Sequence, residues 1–423
     1  MNASAPWPLA LYGGATRLIE PLAPGLLKKR AARGKEDPQR LGERLGRASA
    51  PRPDGPLAWL HGASVGESLS LLPLIEAIGE RRPDASVLVT SGTATSAAVM
   101  AARLPAGVIH QFAPVDAPGA IARFLGHWRP DLAVRVESEL WPNLLLAAKR
   151  SGARMALLSA KLSESSFRNW SRLPRSARAL LGAFDLVLAQ DARAAERLDA
   201  LGARVAGLAD LKFGAAPLPV DEHQSARARK DIGRRPMILA ASTHPGEDEQ
   251  VLDAFAALAT SPDRPLLVIV PRHPERGLEI VALARGKFGQ ASLRSASEPI
   301  GESLVHVADT LGELGLWFRL ARLAVIGGGF VEGIGGHNPL EPARLSCPFA
   351  SGARVENWAT AYAELAAAGA GAPIAPEDLG QAMLAALEDE APLRERAARA
   401  LAYVGRRDAE ARAGLARVVE LLP

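Results

Sequence analysis

Leu57-Ala58-Trp59-Leu60-His61-Gly62-Ala63-Ser64-Val65-Gly66-Glu67 passes from an apolar run, through small residues, into a helical pattern over residues 68–78. Such a passage reads as one strand–helix unit of a parallel sheet. The same alternation recurs outward from it. Apolar runs stand at 87–89, 132–136, 155–158 and 186–189, with helix-like stretches such as 118–128 and 141–149 between them. Repeated strand and helix implies a parallel sheet covered by helices on both faces.

The pattern pauses at Gly214-Ala215-Ala216-Pro217-Leu218-Pro219-Val220, which reads as a linker, and then restarts. Apolar runs at 237–241, 266–270, 304–307 and 323–326 look like a second set of buried strands. Helices are expected at 246–258, 275–287, 312–321 and 339–345, and the Ala- and Arg-rich tail from Pro392 is expected to be helical. No repeat of 20–50 residues stands out. The fold class is thus α/β: two doubly wound domains, residues 36–213 and 214–423, after an N-terminal segment of residues 1–35. Sheets of this kind bind ligands outside the carboxyl ends of their strands. Two of them facing each other across a cleft predict one deep site fed by loops of both halves.

Bulk properties bound the function. A chain of 423 residues suits two domains better than one core. Fifty basic residues against 46 acidic ones, with 5% aromatic content, argue against a nucleic-acid partner. The single cysteine, Cys347, excludes a disulfide framework and a cysteine zinc site.

The start of the chain is distinct. Trp7, Leu9, Leu11, Tyr12, Leu18, Ile19, Leu22, Leu26 and Leu27 precede the cluster Lys28, Lys29, Arg30, Arg33 and Lys35, and no acidic residue comes before Glu20. Prolines 6, 8, 21 and 24, together with Arg17 and Glu20, break any clean spanning helix. A secretory signal would put its positive charges first, and here they come last. Two readings remain: a segment lying in the membrane interface with its basic cluster on anionic headgroups, or an ordinary amphipathic first helix packed on the domain.

Four motifs carry chemistry. In His61-Gly62-Ala63-Ser64-Val65-Gly66-Glu67 the small residues admit a ligand close to the backbone, and Glu67 is placed to take a proton from a hydroxyl. The plainer alternative is an acid complementing a helix N-terminus. In Glu137-Ser138-Glu139-Leu140-Trp141-Pro142-Asn143 the carboxylates at i and i+2 share a side of a strand end, unless they merely begin a helix started by Pro142. In Pro271-Arg272-His273-Pro274-Glu275-Arg276 the planar fork of Arg272 suits an oxyanion, or else a surface ion pair. Gly327-Gly328-Gly329 and Gly335-Gly336-His337-Asn338-Pro339-Leu340-Glu341-Pro342 end a strand and enter a helix whose N-terminus suits an anion. Glu341 there can accept from ribose hydroxyls, while Asn338 and Pro339 also serve as plain cap and helix start. Weaker candidates are Ser242-Thr243-His244 as a phosphate cradle, Leu311-Gly312-Glu313 beside a nucleobase, and Lys212 opposite a leaving phosphate.

Missing signals narrow the field. There is no G-x-G-x-x-G, no G-x-x-x-x-G-K-[ST], no H-E-x-x-H and no G-x-S-x-G. The Asp-x-Asp pattern that holds a metal in many nucleotide-sugar enzymes is also missing, so a metal-free mechanism is the expectation.

Taken in order, these motifs resemble the 3-deoxy-D-manno-octulosonic acid (Kdo) transferases of Gram-negative lipid A assembly. The resemblance runs from the basic N-terminal region to the neighbourhood of Trp358. It implies a GT-B architecture of two Rossmann-like domains, with residues 36–213 binding the acceptor and 214–423 the CMP-sugar. Residues 1–35 are then a membrane-associating segment at the cytoplasmic face of the inner membrane. The implied donor is CMP-Kdo, the acceptor a lipid A precursor (lipid IVA), and neither a metal nor a further cofactor is needed. By the same resemblance Glu67 is the general base, Glu137 and Lys212 stabilise the transition state, and CMP lies against Pro271, Arg272, Leu311, Gly312, Glu313, Asn338, Pro339, Leu340 and Glu341. The chain departs from the family pattern at Ser159-Ala160-Lys161-Leu162-Ser163, where Asn-Ala-Arg-Leu-Ser is frequent. It departs again at Val89-Thr90-Ser91-Gly92-Thr93-Ala94-Thr95, at Leu311 where Met is usual, and at Ala209-Asp210. The first two departures bear on the acceptor side. A UDP-sugar transferase or epimerase, or a membrane-surface nucleotide-binding protein without catalysis, are the rival readings.

Overall fold

The computed structural model describes residues 6–138 and 140–423. The chain divides into two compact units, Met1–Ala215 with Arg407–Pro423, and Ala216–Arg406.

In the first unit seven strands lie in the order β3-β2-β1-β4-β5-β6-β7. They are β1 Leu57–Gly62, β2 Ser86–Ser91, β3 Ile109–Phe112, β4 Leu132–Val136, β5 Arg154–Ala160, β6 Leu186–Ala189 and β7 Val205–Leu208. Every pairing is parallel. In the central strand β1, Leu57 pairs with Ser86 on one side and Ala58 with Leu132 on the other. Successive strand residues face opposite ways. Leu57 and Trp59 therefore enter one core with Phe124, Trp128 and Leu144, and Ala58 and Leu60 enter the other with Leu71, Leu74 and Ile78. A strand buried on both faces reads as an unbroken apolar run, which is why residues 57–60 show no alternation.

The covering helices follow from spacing. Pro118–Trp128 buries Ala120, Ile121, Phe124, Leu125 and Trp128, one face of a 3.6-residue turn, and stops where Arg129 adopts φ 39°. Phe124 is fully buried with its ring 4.9 Å from that of Trp59. Truncating it to alanine costs about 3–5 kcal/mol.

The second unit holds six strands in the order β10-β11-β9-β8-β12-β13. They are β8 Met237–Thr243, β9 Leu266–Pro271, β10 Ala291–Leu293, β11 Val305–Val307, β12 Leu323–Ile326 and β13 Phe349–Ser351. All pair in parallel. Ile238, Ala240, Leu267 and Ile269 pack with Phe255 and Ile280 as its core. Each sheet reverses its winding once, between β1 and β4 in the first unit and between β8 and β12 in the second. Loops leaving those strands border the crevice where such sheets take ligands.

The end of the chain differs from the expected division. The sequence pattern places residues 214–423 in one domain, but Arg407–Pro423 belongs to the first unit. The helix Ala391–Val419 is long enough to serve both. Its Leu415, Val418 and Val419, with Leu422, complete the apolar core under the first sheet. Arg407 donates to the Gln190 carbonyl at 3.0 Å, and Asp408 accepts the Gly214 N–H at 2.8 Å.

The N-terminal segment forms the helices Trp7–Ile19 and Ala23–Ala31. Its prolines sit at helix starts or in the turn Glu20–Leu22, where a missing N–H is not needed. One face packs: Leu9 and Leu27 are buried, and Glu20 accepts the Gly119 N–H at 2.8 Å. The other is bare, with Trp7 75% and Leu18 81% exposed beside Leu11, Ile19, Leu22 and Leu26. Among the described residues no helix is long and apolar enough to cross a membrane.

Candidate functional site

In the first unit the loop after β1 closes on itself. Ser64 caps the helix Val65–Ser70, its Oγ accepting the Glu67 N–H at 3.3 Å and donating to Glu67 Oε1 at 3.0 Å. Glu67 Oε2 accepts the Ala63 N–H at 2.9 Å. The Ser-x-x-Glu spacing at a helix start sets up this exchange, with the Glu67 side chain reaching the Ala63 N–H, one residue before the cap. The carboxylate is thus held at the strand–helix junction rather than swinging free of it. Gly62 leaves no room for a side chain here, since a Cβ would lie 2.7 Å from the Glu67 carbonyl carbon.

The loop after β4 is the other flank of the switch point. Glu137 takes φ +59°, a left-handed conformation that costs a non-glycine residue free energy. Its N–H donates to the Leu158 carbonyl at 2.9 Å, and its Oε2 lies 2.7 Å from Lys161 Nζ. Lys161 is therefore the cation that faces Glu137 from the end of β5. Glu139, the second carboxylate of the motif, lies outside the described residues. After β7 the chain turns back, so that the Leu211 N–H donates to Ser159 Oγ at 2.7 Å. Lys212, next in sequence, is exposed, and its N–H donates to Asp210 Oδ1 at 2.9 Å. Burial pushes the Asp210 carboxyl up, while bonds from Lys212 and Gln190 pull it down.

In the second unit a residue that the motif reading overlooked organises the switch point. Glu247 is 1% exposed. Its Oε2 accepts the N–H of His244 at 3.0 Å and of Gly328 at 2.7 Å, and its Oε1 accepts that of Phe330 at 3.0 Å. One buried carboxylate thus joins the loop after β8 to the loop after β12. The His244 amide of the run Ser242-Thr243-His244 is therefore already engaged. Asp248 is also buried and meets Arg276 at 2.7 Å. The signal was present in Pro245-Gly246-Glu247-Asp248, two acids just past a glycine, but reads as helix-end charge without the fold.

Around this brace lie the other candidates. Pro271 ends β9, and Arg272 follows it exposed, its N–H donating to the Thr243 carbonyl at 3.0 Å. His337 stands over Gly328, which has φ +75° and where a Cβ would fall 2.9 Å from the imidazole. Asn338 Oδ1 accepts the Leu340 N–H at 3.0 Å, and its amide donates to Glu341 Oε1 at 3.3 Å. Burial raises the Glu341 carboxyl above the usual range, against the pull of Asn338, Arg344 and Arg272. Pro339 and Leu340 are buried beneath it. The helix they open, Leu340–Arg344, is little more than one turn, so its dipole is small and one of its free N–H groups is spent on Asn338.

Leu311, Gly312 and Glu313 follow β11. Leu311 is 83% exposed. Glu313 does not stand open: Arg294 grips it with Nη2 at 2.8 Å from Oε1 and Nε at 3.1 Å from Oε2, and Thr310 donates to Oε2 at 2.5 Å. Burial raises the Glu313 carboxyl, but Arg294 and Thr310 outweigh it and hold it below its ordinary value. In the same stretch Ser295 donates through N–H and Oγ to Asp309 at 2.9 and 2.6 Å. Two neighbouring residues thus fix a loop whose exposed part is Leu311-Gly312. Among the described residues no group of three or more His, Cys, Asp or Glu is placed to hold a metal ion.

Two parallel doubly wound sheets, each with acidic or cationic loops at its switch point, make up a GT-B fold, which glycosyltransferases and epimerases share. Solved structures share this fold at low identity. A UDP-GlcNAc 2-epimerase from Neisseria meningitidis bound to UDP-GlcNAc is 13% identical with a TM-score of 0.57, covering 86% of this chain and all of its own. A glycosyltransferase from Rickettsia africae is 11% identical with a TM-score of 0.54, covering 87% of this chain and 99% of its own. Sequence defines the membership more narrowly. The family model for 3-deoxy-D-manno-octulosonic-acid transferase (kdotransferase) matches residues 39–215. A probable mitochondrial 3-deoxy-D-manno-octulosonic acid transferase of Arabidopsis thaliana is 36% identical over 359 residues, 82% of this chain and 80% of its own length. The 3-deoxy-D-manno-octulosonic acid transferase of Bordetella pertussis is 37% identical over 342 residues, 77% and 78% of the two chains. The chain belongs to the 3-deoxy-D-manno-octulosonic acid transferase family and is a glycosyltransferase.

Proposed function

We propose that the protein moves Kdo from CMP-Kdo to a lipid A precursor, lipid IVA, with inversion at the anomeric carbon. The placement of Glu67 and Glu137 on the two loops that flank the switch point of the first sheet carries this reading. Glu67 takes the proton of the acceptor hydroxyl as its oxygen attacks the anomeric carbon. The bond from that carbon to the phosphate oxygen breaks, and CMP departs. Glu137 and Lys212 offset the charge that develops on the sugar and the leaving group. In the second unit the exposed Arg272 supplies a fixed cation for the phosphate. Leu311 and Gly312 form the nucleobase side of the donor site, and Asn338 to Glu341 its ribose side. No Asp-x-Asp pattern is available, so transfer proceeds without a metal and survives chelation.

The exposed apolar face of Trp7, Leu11, Leu18 and Leu22, followed by Lys28, Lys29 and Arg30, suits an interfacial segment on the cytoplasmic leaflet of the inner membrane. Replacing Leu11 and Leu18 together by glutamate should abolish sedimentation with anionic vesicles. Mass spectrometry of the product formed from CMP-Kdo and a tetraacyl lipid A precursor tests the reaction. Addition of Kdo with release of CMP is expected, and turnover of a UDP-sugar instead would replace the donor assignment.

A further inference from the structure

His244 and His337 approach through their Nε2 atoms at 2.8 Å, with rings stacked at a centroid distance of 5.0 Å and an angle of 11°. One ring must donate its Nε2–H to the lone pair of the other. The two rings therefore hold one bridging proton between them. His273 meets His244 edge-on at 5.9 Å. The pair lies at the switch point of the second sheet, His244 just after β8 and His337 against Gly328 just after β12. Ligands of such sheets settle there.

The charges that face the pair are few. Glu247 favours the charged form of His244, while Arg272, Arg276 and His273 oppose it. His337 faces His244 and Arg272. Desolvation first, and these cations after it, hold His337 at about 4 and His244 below its ordinary value. Without a ligand, both rings are neutral near pH 7. That is an unusual investment for a site next to an exposed arginine, because two neutral imidazoles add no charge where an anion is to bind.

We infer that the His244–His337 pair takes up one proton when the nucleotide phosphate binds beside it, supplying a positive charge that exists only with the ligand. The inference rests on the reading of the second unit as the donor site. The balance closes without a further reagent. In the donor the phosphate is a diester with one negative charge. When its bond to the sugar breaks, the bonding electrons stay on the phosphate oxygen and the nucleotide becomes a monoester with a second charge. The proton comes from solvent and adds to Nδ1 of the ring that donates through Nε2. The bridge between the rings then becomes a charge-assisted hydrogen bond. A unit negative charge about 4 Å away, at an effective dielectric constant of about 20, favours protonation roughly a thousandfold. From a starting point of about 4 for His337, that brings the couple to the edge of protonation near neutrality.

Titration calorimetry of the full chain with CMP, in buffers of differing ionisation heat at about pH 7 and pH 8, reads the protons taken up on binding. The wild type should take up a sizeable fraction of a proton more than His337→Gln or His244→Gln, and the excess should shrink at the higher pH. Glutamine keeps a hydrogen-bonding side chain but cannot be protonated, and the difference between proteins removes the proton that CMP's own phosphate exchanges. Binding of CMP with equal proton uptake in all three proteins overturns the inference alone. Failure of the wild type to bind CMP overturns the donor-site reading and this inference with it. If one variant is unfolded by circular dichroism, the other decides.

Discussion

The side-chain amide of Asn143 donates to Thr16 Oγ1 at 2.9 Å and to the Asp116 carbonyl at 2.9 Å. Asp116 in turn accepts the N–H of Leu144 at 2.8 Å. The N-terminal helix with its bare apolar face is thereby tied to the segment that begins at Glu137. Asn143→Ala removes both bonds of the amide. The helix Trp7–Ile19 should open more easily by about 1–2 kcal/mol, read as faster hydrogen exchange over residues 9–19. Unchanged exchange there would show that the remaining contacts of the helix, among them buried Leu9 and the bond of Tyr12 to Asp116, hold it without Asn143.

Glu67→Gln keeps the shape of the side chain but removes its capacity to accept a proton. Transfer should fall by at least about 100-fold, while CMP affinity stays within about twofold of wild type, since nucleotide is assigned to the other unit. Ser64→Ala removes one of the partners that orient Glu67 and leaves the Ala63 N–H in place. It should cost about 1 kcal/mol of stability as a lost cap and reduce turnover less than Glu67→Gln does. Equal activity of Glu67→Gln and wild type would remove the general-base role.

Lys161 and Glu137 form a partly exposed ion pair, so its contribution to stability is small, below about 1 kcal/mol. Its contribution to the reaction should be larger. Lys161→Met leaves the Glu137 carboxylate without this cation and should change turnover by about tenfold, equivalent to about 1.4 kcal/mol. Lys161→Arg should restore it. A variant whose melting temperature falls while turnover holds would reduce the pair to a structural contact.

Arg294 touches no substrate in the proposed mechanism. It positions the loop 309–313 through Glu313. Arg294→Met should raise the KM for CMP-Kdo about tenfold or more through loss of a charged, two-point bond, with kcat within about twofold. Arg294→Lys should recover part of the affinity. A fall in kcat at constant KM would contradict this assignment.

Much of the layout was legible because buried parallel strands are continuous apolar runs. The runs at 57–60, 132–136, 237–241 and 323–326 are all central strands or their neighbours. The short strands β3, β7, β10 and β13 were not anticipated. β3 carries the polar pair His110-Gln111, β7 is an edge strand that is only half-buried, and β10 and β13 are three residues each. Such segments present too little apolar pattern to separate from loops. The candidate site was legible where small residues and charges cluster at strand ends, as at Glu67, Glu137, Arg272 and the glycines of 327–336. Partners distant in sequence were not. Arg294 reaches Glu313 across 19 positions and Glu247 reaches Gly328 across 81. Only the winding of the sheet brings them together.

The return of Arg407–Pro423 to the first unit makes the second unit an insertion within it. On the ribosome the whole of Ala216–Arg406 emerges before Leu415, Val418 and Val419 are available. The half of the molecule that starts first is therefore finished last, its lower apolar surface waiting uncovered while the later half matures. A stalled or nicked chain lacking that closing stretch would present this surface to chaperones and proteases.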